Sequence, residues 1–329
     1  MATIGNKSVT LLDWAKRKDP DGKTADIVEM LSQTNEMIDD MLFMEGNLET
    51  GHRTTIRTGL PTPAWRRINK GVQPSKSTTA QVDEACGRLE SISTVDEALA
   101  ELEPDLAAFR LSEAQAFLEA MTQEACETML YGNSTNNKEE IAGLMTRYSD
   151  LSAPSGKNII DGGGTGSDNT SFLLTVYGDN TVCGIFPKGT KAGLEHKDKQ
   201  LQQHTEADGS ILYKWTDQWV WRLGIALKDW RYVVRGANID VSSLTPDASG
   251  GAKVAEMMIK AMHLVPNLKS GKACFNMNRT LFTFLDLQRF NKGNAYFKEE
   301  TIDGMVKYTF RGIPVKINDA ILDSEARVV

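Results

Sequence analysis

The clearest periodicity in the chain lies between residues 105 and 131, where Leu111, Ala114, Leu118, Met121, Ala125 and Met129 recur on alternating steps of three and four. No Gly or Pro interrupts the run, so the spacing predicts one helix, about 40 Å long at 1.5 Å per residue. Gly132 and Asn133 follow as its stop. Upstream, Ile27, Val28, Leu31, Ile38, Met41 and Leu42 sit at helical spacing and predict an amphipathic helix over 24–43, ended by Gly46. Ahead of it, Leu11, Leu12 and Trp14 form an apolar cluster in a polar, turn-rich setting, the pattern of an arm that needs another surface to bury it. Residues 251–264 and 279–290 read as two more helices, the first ended by Pro266, and residues 138–147 as a short one.

Elsewhere the apolar residues run in short stretches or alternate. "SFLLTVYG" and "TVCGIFPKG" predict a strand pair turning at Gly178 to Asn180. Trp219, Trp221, Leu223, Ile225 and Leu227 alternate with Val220, Arg222, Gly224, Ala226 and Lys228, which predicts one half-buried strand. "KACFNMN" reads as a strand, and the chain closes in a β meander that turns at Asp303 and Gly304 and ends with "GIPVKIND". Helices and strands are interspersed, so the fold class is α+β.

Residues 50–82, "TGHRTTIRTGLPTPAWRRINKGVQPSKSTTAQV", fit neither period. Pro61, Pro63, Pro74, Gly51, Gly59 and Gly71 break the segment, and few positions offer an apolar face, so it reads as two extended ribbons joined by a loop that projects from the body. It holds six basic side chains, Arg53, Arg57, Arg66, Arg67, Lys70 and Lys76, and no acid, in a chain of formal charge -7. An acidic region follows: between Glu90 and Glu127 there are ten Asp and Glu and one basic residue, Arg110. Three uses of the basic segment are open. It could hold nucleic acid, with Arg and Lys on phosphates and Trp65 stacked on a base; it could lie on an acidic protein surface, such as this chain's own acidic region in a like subunit; or it could be solvated. The absence of any acid over 33 residues argues against the last, and a loop this long without its own core is ordinarily functional or disordered.

At 329 residues the chain has room for one large or two ordinary domains, and 40 % hydrophobic content is that of a folded protein. No run is apolar enough to cross a bilayer, and the start lacks the apolar centre of a signal peptide, which predicts intracellular synthesis without a membrane partner. Cys86, Cys126, Cys183 and Cys274 are far apart and read as reduced, mostly buried thiols. "DGGGTGSDN" lacks the Gly-Lys-Ser/Thr ending of a phosphate loop. His196 and His204 lie eight residues apart with no cysteine close in sequence, so they do not read as a zinc site. No catalytic set, metal site or cofactor site stands out.

The order of these parts resembles the major capsid proteins of tailed bacteriophages, which share the Hong Kong 97-type fold. It is similar in particular to the branch found in short-tailed phages, through "DWAKRKDPDGKTADIVEML", "EGNLETGHRTTIRTGLPTPAWRRINKGVQPSKSTTAQV", "PKGTKAGL", "DWRYVVRGANID" and "GIPVKIND". The resemblance implies an N-terminal arm over 1–47 with Leu11, Leu12 and Trp14 as contacts, and an extended loop (E-loop) over 48–94. It implies a peripheral (P) domain over 95–150 whose spine helix is 105–131, and an axial (A) domain over 151–329 with strands returning to the P domain. The implied protein is not an enzyme; it self-assembles into pentamers and hexamers of an icosahedral head that encloses double-stranded DNA, assembled in the bacterial host cytoplasm. Its E-loop, including Trp65, would lie over Glu113, Glu119, Glu124 and Glu127 of a neighbour. Because the chain begins directly at the arm, a separate scaffolding protein is expected, along with a portal protein, a possible cementing protein, and DNA held without sequence-specific binding. The rivals are an encapsulin-like compartment and a nucleic-acid-binding protein that uses residues 50–82.

Overall fold

The computed structural model describes residues 33–102, 106–205, 209–245, 250–292, 297–302 and 305–329. Helices and strands are interspersed throughout, and the chain divides into two units. Among the described residues, one unit comprises 33–34, Arg88–Glu127 and Gly193–Arg222, and the other Asn35–Gly87, Thr128–Ala192 and Leu223–Val329.

The second unit is built around strand β6 (Asn169–Tyr177), every residue of which is buried. Its two edges are occupied by β10 (Val233–Asp240), which on its far side pairs parallel with β5 (Ile159–Asp161), and by β11 (Lys272–Met277), β10 and β11 both running antiparallel to it. Phe172, Leu174 and Val176 share one face with Phe275, Met277 and Val234. The helices α5 (Val254–Leu264) and α6 (Arg279–Lys292) contribute Met257, Met258, Ala261, Leu281, Phe282 and Leu285 to the same core. In α5 the buried residues Val254, Met257, Met258 and Ala261 follow the i, i+3, i+4, i+7 stripe of a helix that covers a sheet. It ends at Leu264, because Pro266 holds Val265 in the extended region. A strand buried on both faces reads as a near-continuous apolar run, as "SFLLTVY" does. The strand order continues from β11 through β14 (Ile313–Ile317) and β13 (Met305–Phe310) to β12 (Phe297–Ile302).

The other face of β6 carries a buried polar lock. Arg235 is 4 % exposed and donates to Ser171 Oγ, to the carbonyls of Met145 and Tyr148, and to Glu325 Oε2 at 2.9 Å. Glu325 also accepts from the hydroxyls of Tyr131 and Ser171. At the bulge in β10, Asn238 adopts a left-handed φ of 56° and makes a peptide-like pair with Val328, donating to its carbonyl at 2.9 Å and accepting from its N–H at 2.8 Å. These bonds fix the C-terminal segment against the sheet.

In the first unit, α3 (Leu106–Tyr131) supplies its residues through Glu127, and strands β4 (Gly87–Asp96), β8 (Leu194–Thr205) and the first part of β9 (Ile211–Leu227) supply the rest. Val95, Phe109, and Leu99 and Ala100 of the short helix α2 (Glu97–Ala100) form a small core, with Leu106 and Trp215 against it. Trp219 stacks on Phe117 and His196, with ring centroids 5.5 and 5.2 Å away.

Four expectations from the periodicity need correction. In the described part of 24–43 only α1 (Met37–Asp40) is helical; Phe43–Glu45 is strand β1, paired parallel with β7 (Val182–Phe186). Sheet pairing overrides the helical spacing there, while Leu11, Leu12, Trp14 and residues 24–32 lie outside the described residues. β6 and β7 are not a hairpin: they meet only at Tyr177 and Val182, in parallel, since β10 and β11 hold the edges of β6 while β7 pairs antiparallel with β9. Residues Leu223–Ala226 of β9 are buried on both faces; Gly224 and Ala226 form a close-packing face, and a Cβ on Gly224 would meet the Ala85 carbonyl oxygen at 2.8 Å. The helix expected over 138–147 is confined to α4 (Leu144–Arg147), because the side chains of Asn133, Asn137 and Glu140 bond to backbone and to each other in a set of turns. The turn expected at Asp303 and Gly304 lies outside the described residues.

Candidate functional site

Strands β2 (Gly51–Gly59) and β3 (Thr78–Ala85) form a separate two-stranded antiparallel ribbon. Its side chains alternate as a pleat requires: His52, Thr54 and Ile56 are partly buried, whereas Arg53, Thr55 and Arg57 are exposed. The register sets Arg53 opposite Asp83, and the two form a bidentate pair at 2.6 and 2.7 Å. That hydrogen bonding raises the Arg53 pKa and lowers that of Asp83. At the base of the ribbon, buried Glu84 takes a second bidentate pair from Arg147, at 2.5 and 2.7 Å, and Arg147 also donates to the Ala142 carbonyl. Gly51 is required beside it, since a Cβ would lie 2.0 Å from the Glu84 carbonyl oxygen.

The two strands are joined by residues 60–77, in which every residue from Leu60 to Lys76 is exposed. A local turn orders the middle: Lys70 N–H donates to the Arg67 carbonyl, Arg66 Nε donates to the Lys70 carbonyl, and Asn69 takes φ 62°. Arg57, Arg66, Arg67, Lys70 and Lys76 have no acidic partner among the described residues, so of the six basic residues only Arg53 is neutralised within its own hairpin. Trp65 is 104 % exposed, Ile68 92 % and Leu60 79 %, the three most exposed large apolar side chains among the described residues. Of these, the charge pattern drew attention only to Trp65. Leu60 and Ile68 follow no period, and nothing but their place in a segment too polar for a core marks them.

The acids expected to oppose the hairpin lie on α3 in different settings. Glu124 and Glu127 are exposed. Glu119 is partly buried and accepts from Gln33 N–H and Gln123 Nε2. Glu113 is buried. Beside another face of α3, within the first unit, lies a groove of about 440 Å³. Its walls are Ala107, Leu111, Ala114, Leu118, Leu194 and Trp219, and Arg110, His196, Asp198 and Asp217 stand at one side. Arg110 bonds both oxygens of Asp217, at 2.6 and 2.9 Å, and reaches Asp198 at 2.9 Å; His196 Nε2 lies 2.8 Å from Asp217. The carboxylates raise the Arg110 pKa, the Asp217 hydrogen bond foremost.

Among the described residues no group of His, Cys, Asp and Glu could hold a metal ion, and no helix is long and apolar enough to cross a membrane. The four cysteines are free, and burial pushes the Cys86 thiol up to about 11 and those of Cys183 and Cys274 upward as well. The chemistry on view is that of contact surfaces.

No curated protein sequence matches the chain. Among solved structures, it is similar to a chain of the bacteriophage epsilon15 structure, with 33 % identity, 100 % of this chain and 99 % of that one covered, and a TM-score of 0.80. It also matches the bacteriophage JBD30 capsid over 89 % of this chain and 93 % of that one, at 8 % identity and a TM-score of 0.52, a likeness of fold alone. The fold is of the Hong Kong 97 type, as the sequence resemblance implied. The model of the family described as major capsid protein GP7 matches residues 19–329. The chain therefore belongs to the major capsid protein GP7 family: it is a structural component of a bacteriophage capsid, and not an enzyme.

Proposed function

We propose that the chain forms the pentamers and hexamers of an icosahedral head enclosing double-stranded DNA, and that the E-loop of each copy lies over an acidic neighbour. Arg57, Arg66, Arg67, Lys70 and Lys76 then face Glu119, Glu124 and Glu127 on the spine helix α3 of the next copy. The observation that supports this reading most is the hairpin connection, which exposes Leu60 to Lys76 in full and leaves five cations without an acidic partner among the described residues. Exposed ion pairs are individually weak, but a closed shell repeats each one many times and so multiplies its effect. In this reading residues 48–94 act as the E-loop and α3 as the spine of the P domain. The strands that return to the P domain are β8 and the first part of β9, which pack with α3 through Trp219 and Arg110. The excess of 44 Asp and Glu over 37 Lys and Arg suits a container that must not hold its DNA tightly. A scaffolding protein and a portal are its expected partners, with a cementing protein as a possible third, and membership of a capsid family favours a genome over an encapsulin-type cargo as the content.

The test is the Arg66→Glu, Arg67→Glu double variant, co-expressed with the scaffolding protein of the same genome and scored for closed shells by electron microscopy. Shell yield is expected to fall, and the shells that do form to come apart at lower salt than wild type. Unchanged yield and salt tolerance would overturn the pairing. Fully exposed Trp65 beside two arginines also suits stacking on a nucleic acid base. That second reading requires the free subunit to bind DNA with an affinity that falls steeply with salt.

A further inference from the structure

We propose that the free edge of β2 is a docking site for an extended acidic peptide of another protein, which adds a strand there and sets a carboxylate on Lys228. The inference goes beyond the shell reading and does not rest on it. Thr54 to Gly59 of β2, with Leu60 beyond it, line one wall of a cleft of about 760 Å³ to which β3 contributes no residue. Among the described strands only β3 pairs with β2. The edge of β2 turned away from β3 therefore carries unpaired backbone N–H and C=O groups, which template a further strand. An extended peptide satisfies such an edge through its main chain. A nucleic acid has no matching series of donors and acceptors.

The opposite wall, Asn180 and Lys228 to Arg231, decides what kind of strand fits. Lys228 is partly buried, and among the described residues its ammonium has no acidic partner; its one contact is Met44 Sδ at 3.4 Å, a weak acceptor. A charge drawn away from water is costly until it is paired. Arg57 and Arg231 add to the positive charge, and the cleft's single acid, Asp229, is already held by the Arg231 guanidinium. Three cations against one acid select an anionic strand. Trp230, 37 % exposed, offers a flat surface for one of its side chains, and the Trp230 carbonyl is held from behind by the Tyr148 hydroxyl and Asn158 Nδ2. Thr54 Oγ1 is buried at the same cleft with no hydrogen-bond partner among the described residues. Residues 1–32 of the chain itself carry five Lys and Arg against five Asp and Glu, so charge does not select them as the occupant.

The purified chain, titrated with a fluorescein-labelled peptide of alternating Glu and Val long enough to span β2, provides the test by fluorescence anisotropy. Binding is expected to weaken about tenfold or more when Gln replaces Glu in the peptide, when the peptide's pairing amides are N-methylated, and in the Lys228→Met variant. Because Lys228→Met alters a partly buried position, exposed Arg57→Gln serves as a second variant, expected to weaken binding about threefold. In hydrogen exchange the peptide should protect the β2 amides that do not donate to β3. No binding, equal binding of the Gln or N-methylated peptide, or undiminished binding to both variants overturns the inference. So does protection of the β2 edge by labelled oligothymidylate in place of the peptide, which makes the cleft a nucleic acid site. Self-association of the free chain that Lys228→Met abolishes overturns it too, since the occupant is then a second copy. None of these results depends on closed shells, so the shell reading stands or falls by its own test.

Discussion

Glu84 and Arg147 put opposite charges where water is scarce, Glu84 buried and Arg147 mostly covered, and each satisfies the other through two hydrogen bonds. Removing one partner of such a pair strands the other's charge. Arg147→Met is therefore expected to lower unfolding stability by about 3 kcal/mol in urea titration. Adding Glu84→Met should restore a large part of that loss, because two apolar side chains can occupy the site without a stranded charge. The pair was invisible in the sequence for a plain reason: the two residues are 63 positions apart, and only the hairpin's position brings them together. Arg53 shows the same limit in miniature. The basic segment, counted to Val82, ends one residue before the acid that neutralises it, and strand register, not composition, makes Asp83 its partner. Asn238 is a third case, since its left-handed φ and its pairing with Val328 follow from a bulge that no local pattern announces.

Among the elements, α1 is tied to the sheet by charge more than by its own helical turn. Asp40 is buried, and Lys272 of β11 and Lys316 of β14 reach it at 2.5 and 2.9 Å. Burial alone would raise its pKa, but the two lysines outweigh that and hold the carboxyl below its ordinary 3.8. The folded chain therefore gives up this proton more readily than the unfolded chain does, so the tie stabilises fully above about pH 4 and is lost as pH falls through the depressed value. Acid unfolding of Asp40→Asn against wild type should show the stability gap wide at neutral pH and closing below pH 4; a gap constant with pH would refute the assignment. At this scale the sequence was most legible where one element's own pattern decided it. Helix α3 is long and uninterrupted, and it ends at Tyr131 as its spacing predicts. It was least legible where a neighbour decides, as with β1, drawn into the sheet beside β7, and with β6, whose edges belong to strands more than fifty residues away.

For the whole molecule, the family and the α+β class were legible because the order of parts survives without any single specific motif. The two units were not, since residues 193–222 join α3 through packing that sequence distance conceals. The hairpin connection gives this scale its own prediction. Residues 60–77 form no ladder, and their backbone pairing is confined to the turn at Arg67 to Lys70. In free subunits their amides should exchange with deuterium within seconds to minutes, while those of β6, buried at the centre of the sheet, remain protected. In assembled shells the amides around Trp65 should become protected; if they exchange equally in both states, the tip has no partner in the shell.

The alternation along β2, and the register that pairs it with β3, also limit how this hairpin can change in length. One residue inserted into either strand turns every side chain beyond it to the opposite face, so Arg57 would swing toward the partly buried side and Ile56 toward water. Relatives with a longer or shorter ribbon should differ by even numbers of residues in each strand, matched across the pair. Insertions of odd length are expected in the connection between Leu60 and Ser77, where no register has to be kept, or at the register shift between Arg57 and Gly59.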